Sequence, residues 1–279
     1  MDIQEAQTML ENCRKSESVD LTQSMSKSMS KFKTPNCRHG NRMDKCDVCR
    51  KEAEKYDKAT ELVKIEKDRK LKKARSEHPE RWMKGVPKKY LTYSFDSFNG
   101  GALVIKMCCN FVAKYPSPES LLFTGPPGCG KTHLAMAICR ELIREDRVNG
   151  VGPPEMMDIP DYWSTGLNPD VAFTTIPELL LEIRATFNDS VESESGVIGK
   201  YSNVDLLILD DLGAEKSSEF AIQSLYVLID RRNRELKPTV ITTNLSLAGI
   251  EAQLNSRIAS RLAEMKIIKL NMPDYRKKR

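Results

Sequence analysis

From Leu121 onward the chain alternates short, densely apolar runs with longer segments whose apolar residues recur every three or four positions. The runs are "LLFTG" ending at Gly125, "VAFTT" near Val171, "DLLILDD" near Leu207, "TVITTN" near Ile241 and "KIIKL" near Ile267. Each is short and rich in branched residues, as a strand buried on both faces should be. The segments between them, "THLAMAICRELI", "PELLLEIRATF", "EFAIQSLYVLIDRRNREL" and "IASRLAE", carry the helical period. Strands and helices taking turns predict an α/β fold, a five-stranded parallel sheet flanked by helices. One connection, residues 144–170, is rich in Pro and Gly. It exceeds the ~12–15 residues of an ordinary unstructured loop and reads as a surface elaboration, with a functional loop as the alternative.

Upstream the pattern changes. Residues 1 to about 35 are polar, with the low-complexity "SMSKSMSKFK" in their midst, so a short helix at most is expected there. Residues 50–77 combine dense charge with thinly spaced Ala53, Tyr56, Leu62, Val63 and Ile65, the pattern of a solvent-exposed helix. The expected organisation is a small module over 1–55, a charged helical linker over 56–81 and a large α/β domain over 82–279.

Composition alters this picture little. With 279 residues, 40% hydrophobic and 30% charged, the chain has room for one large domain and a smaller one. A formal charge of +5 permits nucleic acid as a partner without requiring it. No apolar run approaches the ~18 residues of a membrane span. The N-terminus "MDIQEAQTMLENC" lacks the basic start and apolar stretch of a signal peptide. A cytoplasmic protein with no membrane partner is therefore expected, and in that compartment the eight cysteines do not read as a disulfide framework.

The chemistry begins with "GPPGCGKT", Gly125 to Thr132, which satisfies G-x-x-x-x-G-K-[ST] between a strand and a helix. In this reading Gly125, Pro126, Pro127, Gly128, Cys129, Gly130, Lys131, Thr132 and the following His133 bind ATP. Backbone N–H groups wrap the phosphates, Lys131 reaches the β- and γ-phosphates, and the Thr132 hydroxyl ligates Mg²⁺. "LLILDDLG" supplies the companion carboxylates, Asp210 at the Mg²⁺ and Asp211 near the attacking water. Many ATPases carry Glu where Asp211 stands, so the role of Asp211 as base is less fixed than that of Asp210 at the metal. Asn244, at the end of "TVITTN", is placed to hydrogen-bond the γ-phosphate or the lytic water.

The ordered set "GVPKKYLTYSFDSF", "GPPGCGKTHLA", "LLILDDLG", "PTVITTNLS" and "SRIASRL" resembles the DnaC family of replicative helicase loaders, which are AAA+ ATPases. The resemblance covers about residues 82–275 and extends to the IstB-type helper ATPases of transposons. It implies that Arg261 is an arginine finger reaching the γ-phosphate of a neighbouring subunit, with Arg257 the rival, and hence self-association. It implies an apolar role at adenine for Val86, Pro87 and Tyr90. It also implies a single-stranded DNA contact around "LEIRATFNDS", where Arg184 offers a phosphate contact and Phe187 a stacking ring. A Phe187 buried against its own sheet is the competing expectation.

Far upstream, Cys37, His39, Cys46 and Cys49 form C-x-H-x₆-C-x₂-C, a ligand set suited to tetrahedral Zn²⁺. C-x-H is a tight spacing, and Cys13 can replace His39 as the fourth ligand. Four protein ligands leave no open position, so the site reads as structural. By resemblance to the loaders, this N-terminal module grips the replicative hexameric DNA helicase. The expected function is ATP-dependent loading of that helicase onto single-stranded DNA. The alternatives are a transposition helper ATPase and a nucleotide-switched adaptor with little ATP turnover.

Overall fold

A computed structural model describes residues 2–15, 47–83, 86–148, 151–152, 171–188, 193–214 and 218–275. They fall into two units, Met1–Lys73 and Ala74–Arg279.

The described residues of the first unit are helical. In α1 (Ile3–Lys15) the Asp2 carboxylate accepts from the Glu5 N–H at 2.8 Å, and the Glu5 carboxylate accepts from the Asp2 N–H at 2.9 Å. This reciprocal cap satisfies donors that the first turn leaves open. Helix α2 (Asp47–Glu77) runs 31 residues and carries its charges in pairs one turn apart, such as Arg69 with Glu66 at 2.8 Å. It begins inside the 1–55 segment and continues through the stretch expected as linker, so no break in the helix marks position 55.

Among its described residues the second unit has six strands: β1 (Leu121–Thr124), β2 (Val151–Gly152), β3 (Val171–Thr175), β4 (Leu206–Leu212), β5 (Thr239–Thr243) and β6 (Lys266–Lys269). Their order is β2-β3-β4-β5-β1-β6 and every pairing is parallel. The five strands expected from the apolar runs are all present. The sixth, β2, is a two-residue edge strand inside the long connection, too short to show a pattern. The helices are α3 (Ala102–Lys114), α4 (Lys131–Arg144), α5 (Ile176–Ala185), α6 (Glu194–Asn203), α7 (Glu219–Arg234), α8 (Leu247–Gln253) and α9 (Ser256–Ala263).

Successive strand residues point to opposite faces. On one face Leu122, Leu207, Leu209 and Ile241 join Leu179 and Ile183 of α5, Leu225 and Leu228 of α7, and Ile258 and Leu262 of α9 in one buried cluster. The alternate residues Leu121, Phe123, Leu206, Ile208 and Val240 are equally buried. Helix α4 packs on β5 and buries Leu134, Ile138 and Leu142 outside that cluster. Where β4 and β5 begin, the buried Arg232 of α7 donates to Thr239 Oγ1 (2.9 Å) and to the carbonyls of Val204 (2.8 Å) and Pro238 (2.6 Å). Hydrogen bonds from a charged donor contribute ~1.5–3 kcal/mol each, so this side chain ties the strand starts together. The opposite ends of β4, β5 and β1 are thereby held side by side, and the motif residues follow directly from them.

Candidate nucleotide-binding site

Strand β1 ends at Thr124 and the chain turns at once into a loop that closes where α4 begins at Lys131. Gly125, Gly128 and Gly130 all take positive φ (153°, 73° and 94°). At Gly125 a Cβ would overlap the Leu270 carbonyl, and the Leu270 N–H donates to Thr124 O at 2.8 Å. Only glycine permits this approach of the chain leaving β6. A glycine loop of this kind leading into a helix N-terminus offers backbone N–H groups to an anion. Pro126 and Pro127 are exposed on it, while Cys129 is fully buried.

The buried Lys131 is folded back onto the loop. Its Nζ donates to the Gly125 and Pro126 carbonyls, both at 2.9 Å, and to Asn244 Oδ1 at 2.7 Å. Beside it, Thr132 Oγ1 lies 2.9 Å and 3.0 Å from the two carboxylate oxygens of Asp210, and Thr242 Oγ1 donates to Asp210 at 2.6 Å. Asp210 is only 3% exposed. Burial pushes its pKa up, against the pull of the Thr242 and Thr132 hydroxyls.

The next residue faces the other way. The β4–β5 register slips between Leu209 and Leu212, and Asp211 adopts a left-handed φ of 65° with an exposed side chain. Its N–H donates to Thr242 Oγ1 at 3.0 Å. A bulge of this kind re-aims consecutive side chains, and aspartate tolerates the left-handed region better than bulky or branched residues. One carboxylate thus turns inward against Thr132 and its neighbour outward. A hydroxyl beside a buried carboxylate is an oxygen donor set of the kind Mg²⁺ takes with phosphate, and the raised Asp210 pKa marks a charge that a cation would compensate. The residues present fit Mg²⁺ and a polyphosphate.

Val86 is buried, Pro87 exposed, and Tyr90 meets Phe173 of β3 edge-on at 5.8 Å. Sequence reasoning overlooked the feature next to them. Tyr93 stacks on His133 at 4.4 Å with planes 10° apart, and Phe98 tilts against the same ring at 5.4 Å. The His133 Nε2 lies 2.8 Å from Ser94 O, and burial lowers the ring's pKa against that bond. Arg140 of α4 donates to Leu91 O at 2.8 Å. Residues 86–98 are therefore pinned along the first turns of α4. The available signal was the recurrence of Tyr90, Tyr93, Phe95 and Phe98 in an otherwise polar stretch.

The remaining candidates lie on other elements. Arg261 of α9 is held by Asp230 of α7 (3.0 Å) and by Glu264 (3.1 Å), and these partners raise its pKa. Arg257, one turn earlier, lies 6.0 Å over the Tyr226 ring. Arg184 of α5 lies 5.8 Å from the Phe220 ring, which Phe187 meets edge-on at 5.2 Å. Phe187 is 60% exposed, so it is not packed into the core. Phe220, at the start of α7, was not foreseen as part of this group. Cys37, His39 and Cys46 lie outside the described residues, whereas Cys49 falls in the first turn of α2 and Cys13 in α1. Among the described residues no group of three or more His, Cys, Asp or Glu is placed to hold a metal ion. No helix among them is long and apolar enough to cross a membrane.

The loop, the inward carboxylate and the Asn that follows β5 fall within a single match. The model for the ATPase family associated with various cellular activities (AAA) covers residues 121–265, just over half of the chain. The chain belongs to the AAA family of ATPases. As an AAA protein it is similar to the replicative helicase loader DnaC of Escherichia coli (strain K12), at 29% identity over 143 residues, 51% of this chain and 49% of that one. It is also similar to the replicative helicase loader DnaC of Buchnera aphidicola subsp. Baizongia pistaciae (strain Bp), at 27% identity over 202 residues, 70% of this chain and 73% of that one. The chain spans about half the length of the first of these curated relatives. A solved structure, the crystal structure of the DnaC helicase loader, superposes with a TM-score of 0.53 at 23% identity, covering 67% of this chain and 100% of that chain. That likeness is one of fold.

Proposed function

We propose that this AAA ATPase loads a replicative hexameric DNA helicase onto single-stranded DNA, using ATP bound at the Gly125–Thr132 loop. The observation that carries the ATP chemistry is the convergence of Lys131 with Asn244 and of Thr132 with Asp210 at the ends of three adjacent parallel strands. The names of the curated relatives support the loader reading over the transposition helper.

In this reading the loop N–H groups take the phosphates, and Lys131 exchanges the Gly125 and Pro126 carbonyls for β- and γ-phosphate oxygens. Asn244 Oδ1 stays on Lys131 through this exchange, leaving its Nδ2 to donate to the γ-phosphate or the lytic water. Thr132 and Asp210 would hold Mg²⁺, which when bound neutralises phosphate charge. Asp211, outward-facing and exposed, orients the water and takes its proton; its side chain is shorter than glutamate, consistent with slow turnover. Val86, Pro87 and Tyr90 flank the adenine, next to His133. Arg261 is supplied to the neighbouring subunit's γ-phosphate once it releases Asp230, with Arg257 as the alternative finger. Self-association is thereby tied to hydrolysis.

Arg184 and Phe187 form the single-stranded DNA contact, one for phosphate and one for base stacking. Cys37, Cys46 and Cys49 bind Zn²⁺ with His39 or Cys13, and fold residues 1–55 into the helicase-gripping module. Residues 56–81 tether that module to the ATPase domain over 82–279, and the protein works in the cytoplasm. Native mass spectrometry of the full chain with its host's replicative helicase and Mg-ATP tests the assignment. A complex containing the helicase hexamer is expected; its absence where ATP still binds would sink the loader reading. Metal analysis of the same preparation should find one zinc per chain, lost when Cys46 and Cys49 are both changed to Ser.

A further inference from the structure

Beyond β6 the chain does not leave the sheet. Leu270 stays bonded to Thr124, and five residues later the Tyr275 N–H donates to Gly128 O at 3.2 Å, directly on the phosphate loop. Between them, the Asp274 carboxylate lies so close to the Gly128 Cα that a Cβ there would overlap it. The far end of the segment is anchored as well. The Tyr275 hydroxyl donates to Asn99 O, and a Cβ at Gly100 would lie 2.9 Å from Met272 Sδ. Residues 271–275 therefore bridge from the phosphate loop to the 98–100 turn, whose Phe98 packs against His133.

A carboxylate is an odd occupant for the rim of a loop that wraps polyphosphate. Placed against Gly128, it borders a loop of the kind whose backbone N–H groups favour negative charge. Phosphates wrapped by the same loop would repel that carboxylate, since like charges a few ångströms apart oppose each other even in water. We infer that residues 271–275 form a latch that closes on the phosphate loop and competes with ATP, with Asp274 as the competing anion and Tyr275 as the anchor. The latch rests on the reading of Gly125–Thr132 as the nucleotide site. By linkage, whatever weakens latch closure tightens nucleotide binding, and nucleotide loosens the latch.

The test is equilibrium binding of a fluorescent ATP analogue with Mg²⁺ to the full chain, to Asp274→Asn, to Tyr275→Phe and to Lys131→Ala. Asn keeps the shape of Asp274 without its charge, and about fivefold tighter binding is expected. Phe removes the anchor to Asn99, for about threefold tighter binding. Hydrogen exchange of the Tyr275 amide should accelerate when Mg-ATP is added. Binding that Lys131→Ala abolishes, but that is unchanged or weaker in both latch variants, overturns the latch alone. Absence of binding by the unaltered chain overturns the nucleotide-site reading and the latch with it.

Discussion

Thr132 Oγ1 stands within 3.0 Å of both carboxylate oxygens of Asp210, so the first turn of α4 and the end of β4 meet through one hydroxyl and one buried acid. Burial raises the pKa of that acid. A carboxyl with a raised folded pKa contributes its stability below the unfolded value, near 3.8, and loses it as pH rises through the folded value. At neutral pH the charged Asp210 therefore costs stability. Asp210→Asn, which keeps an acceptor for both threonine hydroxyls, should melt ~2–4 °C higher at pH 7 in the absence of nucleotide, from ~1 kcal/mol or less. The same variant should lose Mg-dependent hydrolysis by on the order of a hundredfold. Calorimetry at pH 7 and pH 3 checks the first claim, since the gain should shrink toward zero below the unfolded value.

Asn244 accepts the third bond from Lys131. Asn244→Ala leaves the lysine its two loop carbonyls, so Mg-ATP affinity should change little while hydrolysis falls about ten- to a hundredfold. Asn244→Asp should do more. Its charge holds Lys131 more firmly and repels the γ-phosphate, weakening Mg-ATP binding about tenfold. Titration calorimetry separates the two variants.

Arg261 lies in an ion-pair set on its own surface, shared with Asp230 and Glu264. If its function lies in the neighbouring subunit, Arg261→Ala and Lys131→Ala should each be inactive alone and regain part of the ATPase rate when mixed. The mixture pairs an intact loop with an intact finger. Arg261→Lys should not restore activity, since an ammonium cannot offer the guanidinium fork. Melting temperatures should move only slightly, because the half-buried Asp230 keeps Arg234 as a partner at 3.0 Å when Arg261 is removed.

His133 has its pKa lowered by burial between Tyr93 and Phe98. For a depressed histidine pKa the stability is present above the unfolded value of 6.5 and is lost as pH falls through the folded value. Between about pH 7 and 5 the melting temperature should drop more steeply for the unaltered chain than for His133→Gln, which cannot acquire the charge. Parallel slopes would remove His133 as the titrating group.

The five long strands and the phosphate loop were legible because their signals are local, an apolar run or a fixed spacing of glycines and lysine. Helix α6 was not, since Gly196 and Gly199 within ten residues dilute both propensity and period. Helix α3, "ALVIKMCCNFVAK", is apolar on too many sides to show a helical stripe, and α8 has only seven residues. The Tyr93–His133 stack, the Phe220 ring beside Phe187 and the Asp274 contact at Gly128 all join residues far apart in the chain. Their pairing depends on strand order, which no local pattern encodes. The burial of Arg232 has no local signal either, because the acceptors that satisfy it come from strand starts elsewhere in the fold.

If ATP at the Gly125–Thr132 loop serves to place a helicase on DNA, the chain should raise helicase activity on a protein-coated template. The direct measurement is unwinding of a forked DNA coated with single-strand-binding protein by the host's replicative helicase, with Mg-ATP and increasing amounts of this chain. Stimulation is expected from the unaltered chain, and little or none from Arg184→Ala/Phe187→Ala or Cys46→Ser/Cys49→Ser. Unwinding that is the same with and without the chain, under conditions where the chain binds ATP, would contradict it.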